Sequence, residues 1–498
     1  MATHTLSRRT FSASLVAPFA LVQSQDWVEL FNSTSLDGWT PNENPSSWRV
    51  EGGAIVADGP RSHLFYTGPV RSGQFRNFEL EVEAMAAPRA NSGVYFHTAS
   101  QPQGWPQRGF EVQINNTATG EGGYRENKKT GSLYGVRNVY RQFVNDNEWF
   151  TLNVLVRNRN VQVRLNGMLL VDYTEPVPAP AYPGMEKERR LGHGTFALQC
   201  HDPGSKVRFR RIRVRPLADS LPLPPGAVVP VADDDWRDIL ALGAQNIPMV
   251  DYHVHLKGGL TLAQALDRSR MDGIFYGIAV NCGRGHEVEN DEGALKFFEQ
   301  MKNQPCFIAM QAEGREWTQM FSRRVAGMFD YVFTDSMTWT DNRGRRMRTW
   351  IPAEVGVIAD PQEFMDTLVA RAVEIIEKEP IDIYVNPTYV PDQLQPRYEE
   401  LWTEERIKKV LSALVKNGVA MEINDRYQIP SAKFIRMGKE MGVKFTFGTN
   451  NGGARDLRRC DYGRRMVREC GLAWSDFWTP APRGERAVDR KGSALRTA

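Results

Sequence analysis

Cysteine is scarce in this sequence, no sign of charge dominates, and long apolar runs are missing. Cys200, Cys282, Cys306, Cys460 and Cys470 are the 5 cysteines among 498 residues. An odd number cannot pair completely within one chain, and the spacing fits neither a zinc ribbon nor a disulfide framework. Cys460 and Cys470 are left either as a bridge or as two free structural thiols. Lys+Arg 62 against Asp+Glu 59 leaves a net charge of +3, which excludes a strongly basic nucleic-acid binder. No apolar run reaches the roughly eighteen residues that a transmembrane helix needs. Histidine is sparse too: there are 8, and none follows His286.

What is present is enough chain for two large domains. The first residues are set aside as an address. Ser7-Arg8-Arg9-Thr10-Phe11 precedes a mildly apolar stretch to Val22, with Val22 and Ser24 small enough for a cleavage site. Paired arginines before a short apolar region look like a twin-arginine signal over residues 1–24. A bacterial periplasmic or secreted location would follow.

Residues 25–217 read as strand after strand. Phe78, Leu80 and Val82 alternate with Glu79, Glu81 and Glu83, and Leu152, Val154 and Val156 repeat the period. Asn166-Gly167 between two apolar runs marks a type I′ hairpin, whose two central residues need positive φ. Glu51-Gly52-Gly53 marks another turn. Val207 and Phe209 are out of phase with Ile212 and Val214, so a bulge is expected near Arg210-Arg211. Arg211, Arg213 and Arg215 then share a solvated face. Short strands without helical periodicity predict a β-sandwich.

The prolines of 218–235, Pro222, Pro224 and Pro225 among them, suit a semi-rigid linker. From 236 to 478, helical stretches alternate with seven short apolar runs, the pattern of a parallel βα barrel. The polar, basic stretch 479–498 is expected to be disordered. Chemistry in such a barrel sits at the carboxyl ends of its strands. Those ends carry Asp251, His253, His255, Asn281, Glu313, Asp335, Asn386, Glu422, Asn424, Asn450 and Asn451. His253 and His255 are two apart on one strand, so both imidazoles point the same way, a spacing suited to one divalent metal ion. Glu313 is the carboxylate expected to join them, with Asp335 or Glu422 as a further ligand.

Asp251-Tyr252-His253-Val254-His255, followed later by Glu422-Ile423-Asn424 and Gly448-Thr449-Asn450, resembles the polymerase and histidinol phosphatase (PHP) family. That resemblance implies a seven-stranded TIM-like barrel and metal-dependent phosphoester hydrolysis. The departures are large: Asn281-Cys282, Ser336-Met337, Asn386-Pro387 and Asn450-Asn451 stand where the family has ligands. A multinuclear cluster is excluded. A mononuclear site, a metal-free barrel that binds a neutral polyol, and a phosphoesterase remain open, the last with Arg343 to Arg348 as a phosphate-holding run.

The sandwich carries a second resemblance. Leu30-Phe31-Asn32 with Leu36-Asp37-Gly38-Trp39 opens an ordered series. Ala90 to Val94, Gly109 to Ile114, Thr130 to Gly135, Leu165-Asn166-Gly167 and Phe196 to Gln199 near His201 complete it. Together they resemble the 3-keto-disaccharide hydrolase family, which implies a concanavalin-like jelly roll. It also implies net hydrolysis by elimination and hydration of a sugar oxidised at C3. Read from the residues alone, Glu111, Gln113 and Asn115 share one strand face opposite Phe110, Val112 and Ile114. A single carboxylate among amides suits acid/base work on a sugar. Glu111 is the expected acid/base, with His201 as partner and Asn91, Gln113, Tyr134 and Arg137 as sugar-binding residues; His193 is a further candidate. An exported hydrolase of 3-keto-glycosides is the leading expectation. The alternatives are a metal-dependent hydrolase working from the barrel with a carbohydrate-binding sandwich, and a non-catalytic glycan-binding protein.

Overall fold

Alternating apolar residues build two antiparallel sheets that press their apolar faces together in the computed structural model, which describes residues 26–120, 124–182, 189–340 and 345–497. The larger sheet runs in the order Met168–Thr174, Asn160–Leu165, Phe150–Arg157, Phe78–Ala86, Val207–Pro216, Ala54–Ala57, Trp48–Glu51, with Val28–Glu29 added beside Val207–Pro216. The smaller runs Trp39–Pro41, Ser62–Tyr66, Thr195–Cys200, Asn91–Thr98, Phe110–Asn115. Phe78, Leu80 and Val82 from one sheet and Phe96, Phe110, Val112 and Ile114 from the other belong to one buried cluster. This is the β-sandwich that the period-two pattern predicts.

Local signals act as expected. Asn166 and Gly167 both hold positive φ, 48° and 83°, at the tip of a hairpin. The last long strand shifts register between Arg210 and Arg213, with Arg211 at φ 45°. Beyond that bulge Arg213 and Arg215 pair with Glu81 and Glu79, and Arg210 and Arg211 pair with Glu83. The arginine stripe is an ion-paired outer face.

No helix or strand forms between Pro216 and Asp234. Asp233 then caps the helix Asp234–Ala244 by accepting from the Trp236 N–H, and the parallel array begins. Val250–His255, Phe275–Cys282, Phe307–Ala312, Tyr331–Thr334, Ile383–Tyr384, Ala420–Asn424 and Phe445–Gly448 close into a barrel of parallel strands. The sandwich and the barrel share apolar packing: Tyr140, Tyr252 and Phe275 lie in one cluster with the sandwich core.

One expectation fails here. Residues 480–497 pack against the barrel rather than being disordered. Arg486 donates to the carbonyls of Phe329 and Gly327 at 2.7 and 2.9 Å, Ala487 N–H to Asp382 at 2.9 Å, and Val488 and Leu495 are buried. Scattered apolar residues in a polar stretch were enough to dock it. All five cysteines are free and buried, so Cys460 and Cys470 form no bridge. The twin-arginine motif lies outside the described residues, as do Arg343 and Gly344 of the basic run.

No helix of the described residues is long and apolar enough to cross a membrane.

Candidate active site

Strand alternation puts Glu111 and Gln113 on the face of the smaller sheet turned away from the core. A cavity of about 260 Å³ covers that face, lined by Asn91, Tyr95, Trp105, Glu111, Gln113, Glu126, Tyr134, Arg189, Gln199 and His201. Three adjacent strands contribute: Tyr95 pairs in register with Glu111 across one ladder and with Ala197 across the other. Gly93 makes room for the acid. A Cβ there would stand 2.2 Å from Glu111 Oε1, so only glycine lets the carboxyl lie flat along the neighbouring strand.

The carboxyl is held at both oxygens. Tyr95 Oη donates to Glu111 Oε2 at 2.8 Å, and Gln199 Nε2 donates to Oε1 at 3.1 Å and to Tyr95 Oη at 2.9 Å. Burial pushes the Glu111 pKa up to about 7, against the opposing pull of the Tyr95 hydrogen bond and the Arg189 charge. The same burial and the nearby Glu111 push the Tyr95 phenol well up, so it stays a donor. Gln113 Nε2 donates to Asn91 Oδ1 at 2.8 Å, which orients both amides. Across the cavity, His201 Nδ1 lies 2.6 Å from Asp202 Oδ2, and its ring packs on Trp105 with centroids 4.9 Å apart. A carboxylate fixes one imidazole nitrogen and leaves the other for a substrate. The cavity thus holds a base poised near neutrality, an imidazole oriented by an acid, amides, an arginine and an aromatic wall.

Among the expected sugar-site residues, Asn91, Glu111, Gln113, Tyr134 and His201 meet in this cavity. Arg137 does not, and that expectation is corrected. Its guanidinium turns towards the barrel and donates to the carbonyls of Arg270 and Met271 at 2.8 and 2.7 Å. It serves the contact between sandwich and barrel. His193 is exposed and lies outside the cavity lining. Residue reasoning missed Tyr95, Trp105, Glu126 and Arg189. Tyr95 had a signal, since it shares a face with Asn91 and Gly93. Glu126, Trp105 and Arg189 stand on irregular segments where no period operates.

The barrel's polar strand ends are also built, but not as the expected metal set. His253 Nδ1 lies 2.6 Å from Glu422 Oε1 and its Nε2 3.2 Å from Gln311 Oε1. His255 Nδ1 faces the Ala279 carbonyl at 3.2 Å. Glu313 Oε1 accepts from Asn281 at 2.7 Å and from Gln311 at 3.0 Å, and Asp335 accepts from Asn386 at 2.8 Å. Neutral amides sit between the histidines and the Glu313 carboxylate. Among the described residues no group of three or more His, Cys, Asp and Glu side chains is placed to hold a metal ion. His253, His255 and Glu313 are engaged in a buried hydrogen-bond network.

Residues 26–215 match the family described as the 3-keto-alpha-glucoside-1,2-lyase-like domain. No curated protein matches the chain. Among solved structures, a "putative glycosyl hydrolase" from Parabacteroides distasonis is 23% identical, covering 39% of this chain and 94% of its own, with a TM-score of 0.34. A second such protein from the same organism is 22% identical, covering 39% of this chain and 100% of its own, with a TM-score of 0.31. The carbohydrate binding module CBM66 from Bacillus subtilis is 12% identical over 36% of this chain and 95% of its own, with a TM-score of 0.25. The region that matches this lyase-like domain model is joined to a closed parallel barrel.

Proposed function

We propose that this protein is an exported carbohydrate-active hydrolase that cleaves 3-keto-glycosides in its sandwich domain. The observation that carries this reading is Glu111: a fully buried carboxyl in a polar cavity, held by Tyr95 and Gln199, with a pKa near neutrality. A ketone at C3 acidifies the proton on C2. Glu111 as carboxylate takes that proton, the electron pair forms a C1–C2 double bond, and the C1–oxygen bond breaks. The departing oxygen receives a proton from His201, whose ring Asp202 orients. Arg189 and the Gln113 and Asn91 amides line the same cavity and in this reading stabilise the charge that develops on the C3 oxygen. Water then adds across the double bond, with the proton returned to C2, which gives net hydrolysis. Such a route needs one base and one acid, and not the paired carboxylates of an ordinary glycosidase. The match of residues 26–215 to a lyase-like domain supports the elimination half of the sequence. Export rests on the Arg8-Arg9 motif and predicts that changing both to lysine leaves the precursor in the cytoplasm.

The test is turnover of a 3-keto-glucoside in deuterated water. Release of the aglycone with deuterium at C2 of the product supports the reading. Cleavage without label at C2 would show direct displacement at C1 and overturn the elimination.

A further inference from the structure

We propose that the barrel completes the sugar site: Asn246 fixes the Lys128 ammonium, and Lys128 sets the position of Glu126 and Tyr134 in the cavity wall. This inference rests on the sandwich cavity being the reaction site.

Asn246 follows the helix Asp234–Ala244 and leads into the first barrel strand. It takes the left-handed conformation, φ 65°, that ends a helix, and asparagine tolerates that conformation better than most residues. Its Oδ1 then accepts from Lys128 Nζ at 2.8 Å, and its carbonyl accepts from Asn127 Nδ2 at 3.4 Å. Lys128 is 3% exposed, which is unusual for a lysine and costly unless the ammonium is paired. Its charge lies 3.7 Å from Glu126 Oε1 and 4.7 Å from the centre of the Tyr134 ring. Glu126 Oε1 also accepts from the Lys128 N–H at 2.8 Å. Glu126 Oε2 accepts from the hydroxyls of Tyr124 and Tyr134, the latter at 3.2 Å. Glu126 and Tyr134 both line the cavity that holds Glu111. A continuous run of contacts therefore leads from a barrel asparagine to the cavity wall. Asn246 and Lys128 touch no substrate; they are positioning residues. The charged and titratable groups that bear on Glu111 include Arg189, Glu126, Lys128, Tyr95, Tyr124 and Tyr134, so moving Lys128 also changes the field at the base.

The test is a double-mutant cycle in the full chain. Asn246→Gly keeps the left-handed backbone and removes the tether, and Lys128→Met removes the charge. Asn246→Gly is expected to lower kcat about tenfold with KM changed less than about twofold. Asn246→Asp, which keeps the acceptor, restores most of it. In the Lys128→Met background Asn246→Gly has no further effect, because the partner is already gone. A substrate-free reading runs beside this: the protonated-carboxyl infrared band of Glu111, identified by its loss in Glu111→Gln. Its titration moves up by about half a unit in Lys128→Met, with no further movement in the double variant. If the natural chain turns over no 3-keto-glycoside, the functional reading fails and the infrared cycle alone decides the coupling. Asn246→Gly with natural kcat and natural Glu111 titration, or effects that add in the double variant, overturns it.

Discussion

Burial disfavours the Glu111 anion more than Tyr95, Gln199 and Arg189 favour it, which pushes the carboxyl's pKa up to about 7. The base is the ionised form, so the rising limb of kcat/KM with pH should have its midpoint near 7. Tyr95→Phe removes a donor to the carboxylate and should move that rise to higher pH. Glu111→Gln keeps the shape and removes the titrating group. Turnover should fall about 10²–10⁴-fold while sugar binding, followed by calorimetry, persists. The same residue has a stability signature. The folded pKa near 7 exceeds the ordinary value of 4.5, so the folded chain holds more protons between these values. Stability from this group is therefore lost as pH rises through that window. Relative to the natural chain, Glu111→Gln should gain up to about 3 kcal/mol from pH 5 to pH 8 in unfolding measurements. A gap that does not widen with pH would mean that Glu111 is ionised at its ordinary pKa.

Strands decide the next level. Period-two alternation separated Glu111, Gln113 and Asn115 from Phe110, Val112 and Ile114, and the ladder then set Gly93 opposite Gln113, where the Glu111 side chain lies over it. Gly93→Ala should cost about 10²-fold in turnover by displacing the carboxyl, while the strand still forms. A Gly93→Ala protein of natural activity would show that the carboxyl is free to move without loss. The arginine-bearing strand makes the opposite prediction. Arg213 pairs with Glu81 on a part-exposed face, so Arg213→Ala should change stability by no more than about 1 kcal/mol and leave turnover intact. The strand face of Glu111 was legible from sequence because alternation is local. Glu126 and Arg189 were not, because irregular segments carry no period. Arg137 was misread: one arginine in a loop gives no sign of whether it faces a cavity or a neighbouring domain.

Across the whole molecule, the barrel's polar strand ends hold one another. His253 and Glu422 form a buried pair, each side chain about 1% exposed. His253→Ala removes the partner of Glu422 Oε1, although Oε2 still accepts from Asn386 and Asn424, and should destabilise the chain by about 3–5 kcal/mol. Turnover per folded molecule should be unchanged, since His253 lies in the barrel network and outside the sandwich cavity. Lost turnover at full folding would move the chemistry to the barrel. Sequence by itself determined the strands, the Asn166-Gly167 turn, the bulge near Arg210 and the parallel βα array, because each follows from neighbours along the chain. That His253 meets Glu422 and Gln311, and that residues 480–497 dock, was settled by the packing of distant segments. The tertiary structure alone placed Arg137 and Asn246 at the seam between sandwich and barrel. Those outcomes depend on which distant segment lies within hydrogen-bond reach, and composition and periodicity carry no record of that distance.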